Sequence, residues 1–157
     1  MKKILITGGA GQLGSELRDL YQGREDLETF FVDREELALD DIEGIKDGLR
    51  NYSPDLIIHG GAYTAVDRAE TEIEIADKVN HLASGEIAKY CKQYGAKLLA
   101  ISTDYVFDGN SSTPLDENTA VSPINVYGET KLKGEQAIQA NLPDAIIIRT
   151  AWVYSAY

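Results

Sequence analysis

Cysteine is nearly missing from this sequence, with Cys91 standing alone among 157 residues. One thiol allows no intrachain disulfide and no cysteine cluster for a metal, so stability must come from an ordinary core. Positive charge is also scarce: 15 Lys and Arg face 26 Asp and Glu, a net charge of −11. That deficit argues against DNA, RNA or an anionic membrane as the main partner, because phosphate-rich surfaces are gripped by clustered cations. Backbone N–H groups can still hold a small anion locally. His59 and His81 are the only histidines and have no carboxylate or cysteine at ligand spacing, so no metal site is expected. No apolar run approaches the roughly 18 residues of a membrane span. Lys2 and Lys3 precede an apolar run that stops at Gly8, too short for the core of a signal peptide. A cytoplasmic protein is the simplest expectation. Repeats, linkers and low-complexity tracts are also lacking. The length is that of one domain, residues 1–157, able to bury about 68–70% of its unfolded surface.

What is present is an alternation. Aliphatic runs at residues 4–7, 29–32, 56–59, 98–101 and 145–148 read as strands, and the first is apolar throughout, as in a central parallel strand. Between them, apolar positions recur at helical spacing over residues 13–20, 42–52, 71–94 and 125–141. Pro54, Gly95 and Pro143 supply stops. Strand and helix in alternation predict right-handed βαβ crossovers and an α/β fold with a doubly wound parallel sheet of Rossmann type.

Between the first strand and first helix runs Thr7-Gly8-Gly9-Ala10-Gly11-Gln12-Leu13-Gly14, with Gly8, Gly11 and Gly14 at G-x-x-G-x-x-G spacing. Glycine is needed there for the turn, for close approach of a pyrophosphate and for tight helix packing. The helix N-terminus then offers free N–H groups and partial positive charge to phosphate. Alone, the pattern also fits any glycine-rich βα turn. Asp33, about 20 residues on at the end of the second strand, stands where an acid accepts from the adenosine ribose hydroxyls. Dinucleotide binding follows, by NAD or NADP. Asp33 favours a free 2′-hydroxyl and Arg34 beside it favours a 2′-phosphate, so the choice stays open.

Tyr127-Gly128-Glu129-Thr130-Lys131 places a phenol and an ammonium at i and i+4 on one helix face. By itself this could be a surface pair. Ser102-Thr103-Asp104-Tyr105 follows the fourth strand, at the carboxyl edge where such sheets bind ligands, and the two together suggest a proton-transfer site. These residues resemble the extended short-chain dehydrogenase/reductases, and among them the dTDP-4-dehydrorhamnose reductase family. The likeness runs through Gly11-Gln12-Leu13-Gly14, Ala62-Tyr63-Thr64-Ala65-Val66-Asp67, Ser102-Thr103-Asp104-Tyr105-Val106-Phe107, Val126-Tyr127-Gly128-Glu129-Thr130-Lys131 and Arg149-Thr150-Ala151-Trp152-Val153-Tyr154.

The resemblance implies NAD(P)H-dependent reduction of the 4-keto group of dTDP-4-dehydro-6-deoxy-L-mannose to dTDP-L-rhamnose. Tyr127 would be the general acid, and Lys131 would hold the nicotinamide ribose and lower the phenol from its usual pKa of about 10. Thr103 would bond the substrate oxygen, with Asp104 and Trp152 beside the sugar. Gly61, Ala62 and Tyr63 would line the cofactor, as would Ala38 and Leu39 at the adenine. Asn80 matches an asparagine that supports the lysine through water in related enzymes, with a helix-surface amide as the other reading. The chain departs from the family at Ala38, where an acid is usual; the adenine grip is then weakened or passed to Asp40. His59-Gly60-Gly61 also stands where Asn-Ala-Ala is usual. The sequence stops at Ala156-Tyr157, after a strand and an aromatic loop, the pattern expected of a piece lacking a C-terminal substrate-binding portion. A homodimer of a full-length form stays open. So do two rival readings: a nucleotide-sugar epimerase or dehydratase of the same family, and a non-catalytic dinucleotide-binding regulatory subunit like that of methionine adenosyltransferase.

Outside these motifs, His59, His81 and Cys91 read as structural. Glu70, Glu72, Glu74 and Asp77 read as a solvated acidic stretch at a helix start.

Overall fold

A computed structural model describes residues 1–156; Tyr157, the end of the sequence, lies outside the described residues. Five strands, β1 (Lys2–Thr7), β2 (Leu27–Val32), β3 (Leu56–His59), β4 (Lys97–Thr103) and β5 (Ile146–Thr150), form one sheet in the order β2-β1-β3-β4-β5. Every pairing is parallel, with Thr7 opposite both Val32 and His59. The chain leaves β1 toward β2 and returns across it to β3. That reversal opens a crevice at the carboxyl ends of β1 and β3, where open α/β sheets take their ligands.

The strands' side chains alternate between two cores, as the twofold period of a strand requires. Leu5, Ile57, Leu98 and Ala100 face the larger one, beneath α2 (Ile45–Tyr52), α5 (Ala83–Tyr94) and α6 (Val126–Asn141). Ile45, Leu49, Ile87, Cys91 and Ile138 from those helices fill it. Ile4, Ile6 and Ile58 face the smaller core, with Leu17 and Tyr21 of α1 (Gln12–Tyr21) packed on it. On that second face, Ile146 and Ile148 of β5 remain 58% and 44% exposed, although a parallel sheet is ordinarily covered on both sides.

The long helix expected within 71–94 runs without a break from Ile73 to Tyr94, but with a π turn inside it: α4 (Ile73–Asp77) leads through Lys78–Leu82 into α5. The extra residue in that turn rotates Asn80 inward until it is 2% exposed, so the surface-amide reading fails. A short helix α3 (Val66–Ala69), unforeseen, follows the crevice loop. Elsewhere the differences are at ends: α2 starts three residues later than expected, at Ile45, and β5 runs on to Thr150.

Helix α6 crosses the π turn closely because position 134 is glycine. A Cβ there would lie 2.2 Å from the Asn80 carbonyl oxygen, backbone that has no slack. Gly134→Ala is expected to destabilise the fold by about 1–3 kcal/mol through overpacking. Urea unfolding checks this, and an unchanged midpoint would contradict the close crossing.

Candidate active site

The crevice is an open cleft of about 1200 Å³ running from the β2 end, past the glycine loop, to the β5 end. Its floor is the turn after β1. Gly8 has φ +72°, and its N–H and that of Gly9 donate to the Val32 carbonyl at 3.0 and 3.2 Å. A Cβ on Gly14 would lie 2.4 Å from the Gly8 oxygen, so only glycine lets α1 start this close to β1. The α1 N-cap is Gly11, and no side chain caps it, leaving the first N–H groups to an anion. A diphosphate-bearing cofactor fits this cradle.

Asp33 Oδ2 accepts from the Ala10 N–H at 2.9 Å, bracing the glycine loop from β2's end. Arg34 is turned to Asp40, Nη2 to Oδ2, at 2.6 Å. Gly8, Gly11, Gln12, Leu13, Asp33, Arg34 and Leu39 line the cleft, as do Gly61, Ala62 and Tyr63 after β3. Ala38 does not; the buried Leu37 and the apolar Leu39 border the cleft beside it, and Asp40 is held by Arg34. Ala38 thus falls outside the residues that line this end of the cleft, its carbonyl accepting from the Asp41 N–H at 3.2 Å. Gly14 acts through packing and not as lining.

At the other end, Thr103, Asp104, Tyr127, Lys131 and Trp152 line the same space. Helix α6 begins at a strong cap that places Tyr127 in its first turn: Asn125 Oδ1 accepts from Gly128 N–H at 2.7 Å and Glu70 Oε1 from Val126 N–H at 2.9 Å. A Cβ on Gly128 would lie 2.2 Å from the Tyr105 carbonyl, so the helix start presses on the turn Asp104–Val106. The Tyr127 ring meets that of Tyr105 edge to face at 5.5 Å. Thr103 Oγ1 donates to Asp104 and accepts from the Tyr105 N–H. Trp152 is 78% exposed at φ 46°.

Lys131 lies one turn after Tyr127, and its Nζ donates to the Ile101 carbonyl at 2.8 Å. Burial pulls its pKa down to about 8, opposed by Glu135 one turn further along. Glu135 is itself buried and grips Arg149 of β5 bidentately, with Nε to Oε1 at 3.0 Å and Nη2 to Oε2 at 2.7 Å. Burial raises Tyr127 above the usual phenol value, with an interaction with Thr103 opposing. The expected lowering by Lys131 is thus corrected: its ammonium is directed to a carbonyl, and desolvation dominates at the phenol. Tyr127 is accordingly a protonated phenol at neutral pH.

Behind the cleft a chain of hydrogen bonds has one consistent direction. Gly61 N–H donates to Thr7 Oγ1 at 3.0 Å, and Thr7 Oγ1 lies 2.8 Å from His59 Nδ1. His59 Nε2 lies 3.2 Å from Ser84 Oγ, which donates to the Asn80 carbonyl at 2.8 Å. Since Ser84 spends its proton on Asn80, His59 must donate from Nε2 and accept at Nδ1 from Thr7. The ring is neutral, and burial, helped by Lys131, takes its pKa to about 3. The Asn80 amide completes the set, accepting from Tyr63 N–H at 2.8 Å and donating to the Tyr63 carbonyl and Thr130 Oγ1 at 3.1 Å each.

Sequence reasoning missed Leu37, Arg68 and Val79 as cleft residues, and gave no role of their own to Thr7 and Tyr105, which stand inside the glycine-loop and 102–105 motifs. The acidic stretch at 70–77 is not merely solvated. Glu72 accepts from Tyr63 and Arg68, Glu70 caps α6, Glu74 pairs with Lys78, and Asp77 with His81.

Residues 1–157 match the family described as RmlD substrate binding domain. The chain belongs to that family. It is 42% identical over 154 residues to the dTDP-4-dehydrorhamnose reductase of Salmonella typhimurium, covering 97% of this chain and 52% of that one. A dTDP-4-dehydrorhamnose reductase structure from Clostridium acetobutylicum superposes with TM-score 0.94 at 37% identity, over 99% of this chain and 55% of that one. One from Bacillus anthracis, in complex with NADP, gives 0.93 at 37% identity, over 100% and 56%. The chain spans about half the length of the relatives it matches.

His59 makes stability depend on pH. Its pKa is depressed in the folded state, so its contribution is full above about 6.5 and is lost as pH falls from there toward about 3. The loss reaches about 1.4 kcal/mol per pH unit for one proton. In His59→Asn, urea unfolding between pH 6.5 and 4.5 should show a shallower decline. An unchanged slope would contradict a buried neutral ring.

Proposed function

We propose that this chain is the dinucleotide-binding part of a reductase that converts dTDP-4-dehydro-6-deoxy-L-mannose to dTDP-L-rhamnose with NAD(P)H. One observation carries the reading: Thr103, Tyr127 and Lys131 open into the same cleft as the glycine loop. The pyrophosphate would lie on the uncapped N-terminus of α1, over Gly8, Gly11, Gln12 and Leu13, with Asp33 at the adenosine ribose. When bound, the reduced nicotinamide supplies the hydride that reaches the C4 carbon. Tyr127, kept protonated by burial, gives its phenolic proton to the keto oxygen and recovers one from solvent. Thr103 orients that oxygen. Lys131, still mostly charged at pH 7, holds the nicotinamide ribose hydroxyls and stabilises the phenolate as it forms. Asp104 and the exposed Trp152 border the sugar's side of the cleft.

The relatives' further length would supply the rest of the nucleotide-sugar pocket and cover the bare sheet face at Ile146 and Ile148. The reaction belongs in the cytoplasm, where a lone buried thiol such as Cys91 stays reduced.

Two measurements test the reading. The 157-residue chain should bind NADPH or NADH saturably in calorimetry yet turn over the dTDP-sugar little or not at all. In the corresponding full-length reductase, Tyr127→Phe should lower kcat by about 10²–10⁴-fold and keep cofactor affinity. An unchanged rate would remove Tyr127 from the chemistry. Steady conversion without net consumption of NAD(P)H would favour an epimerase.

A further inference from the structure

We propose that Asp40 is a specificity-determining residue of this cleft, which holds Arg34 in an ion pair and so biases the adenosine end toward a free 2′-hydroxyl and against a 2′-phosphate. The inference rests on the reading of the cleft as a dinucleotide site and goes beyond it in assigning the preference.

Arg34 follows the acid at the end of β2, where a guanidinium could take a 2′-phosphate bidentately. Its Nη2 is instead 2.6 Å from Asp40 Oδ2, and both residues line the cleft. The loop between them holds the two in register. Leu37 N–H donates to the Asp33 carbonyl at 2.9 Å, Asp41 N–H donates to the Ala38 carbonyl at 3.2 Å, and the Leu37 side chain is buried in the larger core. Asp40 is the less exposed partner, its side chain 25% accessible against 75% for Arg34. The carboxylate is thus the fixed member and the guanidinium is drawn to it.

No other cation nearby is uncommitted among the described residues that could replace Arg34. Arg68, across the cleft, is bound to Glu72 at 2.5 Å, and Lys78, on the neighbouring π turn, to Glu74 at 2.9 Å. Arg34 is also the only base between positions 33 and 43, among Asp33, Glu35, Glu36, Asp40, Asp41 and Glu43. A phosphate monoester brings close to two further negative charges at neutral pH. To reach Arg34 it must displace Asp40 and then lie beside the carboxylate it displaced. A 2′-hydroxyl meets no such opposition. It needs only an acceptor, and the Asp33 carboxylate has capacity beyond the oxygen bound to Ala10 N–H.

The test is calorimetric titration of the chain and of Asp40→Asn with 5′-ADP, 2′,5′-ADP, NADH and NADPH, and its readout is the ratio of the two affinities in each pair. The unsubstituted chain should prefer 5′-ADP and NADH. In Asp40→Asn the ratio should move about tenfold toward the 2′-phosphorylated ligands, as loss of one opposing charge at close range implies. The shift should shrink at high salt and disappear in Asp40→Asn combined with Arg34→Ala. Thermal melting confirms that the variants are folded, as expected for an ion pair with an exposed guanidinium. A preference of the unsubstituted chain for 2′,5′-ADP, or an unchanged or reversed ratio in Asp40→Asn, overturns the proposal while leaving the dinucleotide reading intact. Failure of the chain to bind any of the four ligands overturns both.

Discussion

The hydrogen-bond chain from Gly61 through Thr7, His59 and Ser84 to Asn80 runs under the floor of the cleft and joins the ends of β1 and β3 to the π turn and α5. The Asn80 amide extends it to the backbone of Tyr63 and, through Thr130, to the first turns of α6. All of Thr7, His59, Asn80, Ser84 and Thr130 are buried, so their donors and acceptors must be satisfied within the protein. Removing one partner would strand another, at about 1–3 kcal/mol for each group left unpaired. The arrangement works as a unit for that reason. It sets where the loop after β3 lies relative to the glycine loop, and where α6 lies relative to both.

Small residues make that unit possible. Gly14 lets α1 start against the first turn, Gly134 lets α6 cross the π turn, and Gly128 lets the α6 cap press on the turn after β4. Each brings backbone to backbone at a distance no side chain tolerates. The outcome is a cleft whose two ends, the phosphate cradle and the Tyr127–Lys131 pair, are held on one rigid frame.

The charge of the chain is managed locally. A net −11 would repel an anionic ligand, yet the cradle offers backbone N–H groups at an uncapped helix end. Lys131 is buried close to Glu135, which is committed to Arg149 and still pulls the ammonium's pKa back up. Burial keeps the Tyr127 phenol protonated and the His59 ring neutral. At Lys131 solvent exclusion outweighs the neighbouring Glu135, while at His59 and Tyr127 the neighbouring charges push the same way as burial, and the protonation states suit a proton donor beside a positively charged anchor.

Much of this was legible in the residues. Strand and helix alternation, the G-x-x-G-x-x-G spacing, Asp33, and Tyr127 with Lys131 are local patterns whose meaning depends on neighbours within a few turns, and they determined the parallel α/β fold and the two ends of the cleft. The placement of Asn80 was not legible, because the π turn that α6 crosses at Gly134 leaves no mark in the helical period. Neither was the pairing of Arg34 with Asp40, which lie on either side of Leu37, the residue that anchors their loop in the core. The phenol's shift was misjudged from sequence for a related reason: spacing shows that a lysine is near, but only the folded surroundings decide whether desolvation or charge prevails. The sequence by itself determined which groups are present and in what order along the sheet edge. The tertiary structure decided their protonation, partners and facing, because those depend on burial and on contacts between segments far apart in the chain.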